Sequence, residues 1–240
     1  MSLLTDLEAK VAGYMAGDYK VTKKQTVPNP EDIPLGNEAA ELEATVLFLD
    51  VRQSSDITNT FRRQTAAKMM KAYFDGAVRV INANDGYVRS FNGDGMLAIF
   101  VGDLQSNHAV KAAMQVKWFV NDVLEPKFRK YFEGNAGALG NALDFSVGVG
   151  LDQGTIFAVR VGIKGTNDVA WVGRCTNTAA KLSATTSSPR NIAVTRAVYS
   201  RLNDDRKLSS GAQMWSDETF HDFGGITRAI RTTTYHWTIK

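Results

Sequence analysis

Two aspartates stand where their chemistry is easiest to use. Asp50 closes the run Ala44-Thr45-Val46-Leu47-Phe48-Leu49-Asp50-Val51, and Asp94 lies in the polar break Asn92-Gly93-Asp94-Gly95. The first run is short and apolar, as a buried strand is. The second separates Tyr87–Phe91 from Met96–Val101, which predicts a hairpin. Between them Met70, Tyr73, Phe74, Ala77, Val80 and Ile81 recur at helical spacing, and Asn84-Asp85-Gly86 ends the helix. A strand-helix-hairpin unit lays its first strand beside the hairpin, so both carboxylates reach one end of a sheet. Two carboxylates there can share hard cations such as Mg²⁺ or Mn²⁺. A pair of such ions clamps the attacking and leaving oxygens of an in-line phosphoryl displacement. Each acid alone has a simpler reading. An acid before a helix can be only its cap, and Asp-Gly can be only a turn former.

Val51-Arg52-Gln53-Ser54-Ser55 leads from the strand into a helix start. Exposed N–H groups and the helix dipole favour phosphate oxygens at such a place, so Arg52, Gln53, Ser54 and Ser55 are the expected phosphate contacts. The alternative is a helix capped by Ser54 or Ser55. His108, His221 and His236 fall in helix or C-terminal contexts and are expected to be structural, so no dedicated general base stands out.

The rest of the chain must hold these groups in place. Its 240 residues allow one large domain, or a domain with an N-terminal appendage. Leu3, Leu4, Leu7, Val11 and Tyr14 predict a short helix, either a docking or dimerising element or one packed on its own domain. Pro28, Pro30 and Pro34 mark an extended connector after it. The expected division is helix and linker over residues 1–40 and a catalytic domain over 41–240. A second helix starts near Ser106 and is kinked or ended by Pro126, followed by a Gly/Asn loop over 134–141. Leu143, Phe145, Val147, Val149 and Leu151 alternate with Asp144, Ser146, Gly148 and Gly150, a strand of period two. Further strands are expected over 155–161, 168–172 and 192–195, with a last one over 232–239. The order suits an α+β sandwich with helices on one face of a mainly antiparallel sheet.

Basic and acidic residues number 28 and 25, a balance that argues against a nucleic-acid partner. Cys175 is the single cysteine, so no intramolecular disulfide forms. No stretch reaches the ~18 apolar residues of a membrane span, and Met1–Asp6 lacks the features of a signal peptide. A cytoplasmic protein without a membrane partner is expected.

Phe48-Leu49-Asp50-Val51-Arg52-Gln53-Ser54-Ser55 resembles the first metal motif of class III adenylate and guanylate cyclases, and Asn92-Gly93-Asp94-Gly95 with Met96–Phe100 resembles the second. Val147–Gly154 resembles that family's central strand. Gly173-Arg174-Cys175-Thr176-Asn177-Thr178-Ala179-Ala180-Lys181-Leu182 resembles the segment carrying its transition-state residues. Four motifs in the right order, over residues 44 to 239, are specific where one would be weak. The resemblance implies a ferredoxin-like class III cyclase domain that acts on a nucleoside triphosphate. It implies a homodimer with two sites at the interface. One subunit supplies Asp50, Asp94 and the carbonyl of Val51 to two divalent ions, Mn²⁺ or Mg²⁺. The other supplies Asn177, which orients the ribose, and Lys181, which stands where the family usually has an arginine. Lysine lacks the bidentate fork, and a solvated helix lysine is the competing reading of Lys181. Arg228 or Arg231 is implied as the basic triphosphate contact.

The positions that read adenine or guanine in the family hold Ser90 and Ala170, so neither purine code is present. Cys175 is not the guanine-reading cysteine. In this the chain resembles the pyrimidine cyclases of bacterial anti-phage (Pycsar) systems, which make cUMP or cCMP as a signal for a separate effector protein. UTP is the expected substrate. The competing expectations are a purine cyclase with a divergent base pocket and a catalytically silent nucleotide-binding module.

Overall fold

A computed structural model describes residues 2–133, 145–186 and 188–239. The expected loop over 134–141, with Leu143 and Asp144, lies outside the described residues. Elements follow in the order α1 (Leu3–Ala16), β1 (Lys20–Lys23), β2 (Glu38–Val51), α2 (Ser54–Thr60), α3 (Arg63–Asn82), β3 (Tyr87–Asn92), β4 (Gly95–Phe100) and α4 (Gln105–Trp118). After a π-helical segment over Phe119–Leu124 come α5 (Glu125–Glu133), β5 (Val147–Ile163), β6 (Thr166–Val172), α6 (Arg174–Thr185) and β7 (Ile192–Thr195). The chain ends with α7 (Arg196–Tyr199), α8 (Asp204–Lys207), β8 (Leu208–Ser209), β9 (Ala212–Gln213), β10 (Thr219–Asp222) and β11 (Thr227–Thr233).

Among the described residues the main sheet has nine strands in the order β10-β11-β7-β5-β2-β4-β3, with β1 beside β2 and β6 beside β5. The β1–β2 and β5–β7 pairs are parallel and the rest antiparallel. The alternation expected of a strand sorts β2 onto two buried faces. Leu47, Leu49 and Val51 join Met96, Ala98 and Phe100 against Met69, Tyr73 and Ala77 of α3 and Ala109, Ala113 and Val116 of α4. Leu42, Ala44 and Val46 join Leu97, Ile99, Ile156 and Ala158 against Cys175 and Ala179 of α6. The α+β architecture with a mainly antiparallel sheet stands, but helices cover both faces.

Several local expectations differ from the structure. The helix expected between Asp50 and Asp94 is two helices. Phe61 and Arg62 are extended between them, and the Phe61 ring stacks on Phe132 with centroids 4.6 Å apart, which turns the chain inward. Pro126 does not end its helix. The π-helical segment shifts the hydrogen-bond register, and Pro126 falls in the first turn of α5, where its missing N–H costs nothing. Val147–Leu151 and the strand expected over 155–161 belong to one strand, β5 (Val147–Ile163), while Phe145 and Ser146 precede it. The last strand is β11, ending at Thr233, six residues before the expected end at Ile239.

The leader is no free tether. β1 pairs with Glu38–Glu41, and Val27 and Ile33 are buried in the core on the α6 side. Helix α1, capped by the Ser2 side chain on Thr5 N, buries none of its residues. Asn37 Nδ2 donates to Tyr14 O and Gly17 O and ties its end to the domain.

Candidate active site

Strand register brings the two aspartates together. Asp50 pairs with Gly95 of β4 on one side and Gly148 of β5 on the other. Gly95 follows Asp94, so the acid at the end of β2 faces the hairpin turn. The Asp50 carboxyl is half-buried and held above the usual carboxylate range, first by burial and then by the charge of Asp94, with Arg52 opposing. The charge of Asp94 adds to the cost of ionising Asp50, a cost that a bound cation relieves. On the α3 side, Tyr73 is fully buried and its hydroxyl has no hydrogen-bond partner among the described residues. Burial and the nearby charges of Asp50 and Asp94 push that hydroxyl's pKa up.

These residues fit divalent ions of the Mg²⁺ or Mn²⁺ class. Among the described residues no group of three or more His, Cys, Asp or Glu side chains gathers to hold a metal. Two carboxylates are a sparse protein set, and Mg²⁺-class ions are commonly bound by one or two carboxylates with water and substrate phosphates completing the shell.

Gln53 precedes α2 in the left-handed region, at φ 54°, and α2 starts at Ser54 without a side-chain cap. Ser54 and Ser55 are therefore first-turn residues, not the caps of the alternative reading. Arg52, expected at phosphate, faces elsewhere. Its Nη1 donates to Ala184 O at 2.8 Å and lies 3.4 Å from Asp50 Oδ2. Its Nη2 donates to Ser183 O and to Thr186 Oγ1. The guanidinium is occupied by the C-terminal end of α6, which corrects its reading as a free phosphate contact.

α6 lies close on β5 because β5 carries glycines beneath it. A Cβ at Gly150 would stand 2.1 Å from Ala179 O, and one at Gly148 would stand 1.9 Å from Arg52 Nη2. Asn177 and Lys181, four residues apart on α6, are both exposed. With Arg174, Arg228 and Phe223 they border a cavity of about 110 Å³. Lys181 Nζ donates to Phe223 O at 3.3 Å. Of the two arginines left open by sequence, Arg228 borders this cavity. Arg231 donates to Ser216 O and lies over the Tyr199 ring, 4.5 Å from its centroid. Neither Asp50 nor Asp94 borders the cavity, so the two sets of expected catalytic groups occupy separate places on one chain.

Ser90 lies on β3 next to a register shift, its hydroxyl donating to Asn92 Oδ1 at 3.1 Å. Ala170 lies on β6 opposite Val159. Sequence reasoning missed Tyr73, Thr186, Gly148 and Gly150 as parts of the site. For the glycines a signal existed. Gly148 and Gly150 alternate with valines in a buried strand, which marks the close approach of another backbone.

Comparison with known proteins agrees with this fold. Residues 38–217 match the model of the adenylate and guanylate cyclase catalytic domain. A uridylate cyclase of Burkholderia cepacia is 33% identical over 243 residues, and one of Xanthomonas perforans is 31% identical over 240 residues. Each alignment covers 100% of both chains. Among solved structures, a bacterial light-regulated adenylyl cyclase superposes with a TM-score of 0.65 at 20% identity, covering 87% of this chain and 56% of that one. The adenylyl cyclase CyaB from P. aeruginosa gives 0.65 at 16% identity, covering 82% of this chain and 95% of that one.

Proposed function

The chain belongs to the adenylate and guanylate cyclase catalytic-domain family, and from that premise we propose that it converts UTP to 3′,5′-cyclic UMP and pyrophosphate. It is a nucleotidyl cyclase, of a family that uses two divalent metals and generally acts as dimers. The choice of UTP rests on one observation: relatives aligned end to end at 31–33% identity are named uridylate cyclases. The absence of both purine codes at Ser90 and Ala170 supports it, because a site without hydrogen-bonding groups for a purine loses discrimination for that base.

Asp50, Asp94 and the Val51 carbonyl would hold the two ions. When bound, such ions acidify the ribose 3′-hydroxyl and neutralise the triphosphate. In the reaction the ribose 3′-hydroxyl gives its proton to solvent, its oxygen forms a bond to the α-phosphorus, and the bond from that phosphorus to the departing pyrophosphate oxygen breaks. Backbone N–H groups at Gln53, Ser54 and Ser55 face the triphosphate from the start of α2. From a second copy of the chain, Asn177 orients the ribose, Lys181 meets charge building on the α-phosphate, and Arg228 contacts the triphosphate. Separate half-sites on one chain are what a two-site homodimer requires.

No described helix is long and apolar enough to cross a membrane. We place the enzyme in the cytoplasm, as a second-messenger synthase in anti-phage defence whose product acts on a separate effector. Incubation with Mn²⁺ and each of the four NTPs, followed by chromatography, tests the substrate. Cyclic UMP is the expected product, and cyclic AMP or cyclic GMP as the sole product would refute the pyrimidine reading.

A further inference from the structure

Arg52 occupies an unusual position between the two half-sites of one chain. It follows the metal-holding end of β2 by two residues, and its backbone N–H donates to Ser146 O just before β5. Its side chain crosses Gly148, where any Cβ would strike both the guanidinium and Ser183 O. At the far side it meets Ser183 O, Ala184 O and Thr186 Oγ1, the last turn of α6 and the residue after it. Those carbonyls end a helix and carry its partial negative charge, so a guanidinium suits them. Thr186 Oγ1 in turn donates to Ser183 O at 3.1 Å, which closes the clamp.

We propose that Arg52 is a positioning residue that locks the C-terminal end of α6 to the strand carrying Asp50. Its fork holds two carbonyls and one hydroxyl while one arm leans on the Asp50 carboxylate. The helix it fixes bears Asn177 and Lys181. One side chain thus sets the spacing between the metal pair and the groups that the same chain offers to its partner's site. A lysine lacks the planar fork that meets these spread acceptors in one fixed geometry. This assignment rests on the cyclase reading for its kinetic arm only.

The test is a double-mutant cycle with Arg52→Lys, Thr186→Val and the two combined, read by thermal melting without nucleotide and by kinetics on UTP with Mn²⁺. If Arg52 acts through the end of α6, both substitutions loosen one clamp. Each single variant then melts below the parent, and the double variant melts little below Arg52→Lys, because the two share one interaction. In kinetics kcat falls, on the order of 10²-fold for Arg52→Lys, as a displacement of about 1 Å in positioned groups does, while KM for UTP stays within about threefold. Additive melting shifts would overturn the proposal, and so would a rise in KM at unchanged kcat, the mark of a direct phosphate contact. Unaltered melting and kinetics in both single variants would overturn it as well. If the parent turns over no nucleotide, the cyclase reading fails while the melting cycle still decides the role of Arg52.

Discussion

Gly150→Ala probes how closely α6 must lie on β5. The added methyl would stand 2.1 Å from Ala179 O and 2.5 Å from Ser183 N, both backbone atoms of α6. Cβ atoms essentially never approach other heavy atoms within 3.0 Å, so the helix must give by about 0.9 Å. No rotamer change relieves a clash with backbone. Overpacking of this kind costs about 1–3 kcal/mol, and moving Asn177 and Lys181 by about 1 Å costs on the order of 10² in turnover. Gly154→Ala on the same strand is the control. There the methyl meets only the Cys175 side chain, at 3.8 Å from Sγ, which is ordinary contact. The expected outcome is a lowered melting temperature and a kcat reduced about a hundredfold for Gly150→Ala, with Gly154→Ala close to the parent in both. Thermal melting and steady-state cyclisation assays measure it. Equal behaviour of the two variants would refute the claim that α6 is seated by the glycine stripe.

Other predictions follow from buried polar groups. Asp50→Asn abolishes turnover, yet in EDTA it melts no lower than the parent. An acid whose folded-state pKa is raised destabilises the native state once ionised, and a lower melting point in EDTA would contradict this. Tyr73→Phe removes a buried hydroxyl that has no partner among the described residues, so in EDTA its melting temperature is equal or higher; a marked fall would mean that the hydroxyl is bonded in solution. Lys117 Nζ is buried on Pro189 O and Thr234 O, and burial lowers its pKa from 10.5 to about 8. For a base with a depressed folded-state pKa the sign is a penalty in full below about pH 8 that is relieved as pH rises toward 10.5. Denaturant unfolding from pH 7 to 10.5 should show the parent gaining on Lys117→Met, on the order of 3 kcal/mol across the window; a flat difference would contradict the shift.

Much of the frame was legible because it rests on local pattern. The short apolar run Ala44–Asp50, the Asn92–Gly95 turn and the helical stripe through Tyr73 and Ala77 each state their element directly, and strand pairing then joins Asp50 to the hairpin. What stayed hidden depends on contacts between distant residues. The break at Phe61 exists because its ring finds Phe132, seventy-one positions on. Pro126 is accommodated by a register shift inside its own helix, which no propensity reports. Arg52 looked like a phosphate contact because it adjoins a helix start. Its inward course is set by Gly148 and by the carbonyls of α6, more than 130 positions away. The distinction between Arg228 and Arg231 depended on β10 and β11, whose pairing fixes which arginine borders the α6 cavity.

Complementation tests the two-copy site most directly. Asp94→Ala removes the metal half, and Asn177→Ala removes the ribose-orienting half. Each variant alone should be inactive with UTP and Mn²⁺. Co-expressed in equal amounts, they should recover about a quarter of parental activity, because half of the dimers are mixed and each mixed dimer has one intact site of two. A mixture as inactive as its components, with mixed dimers present by mass, would contradict a site shared between two copies.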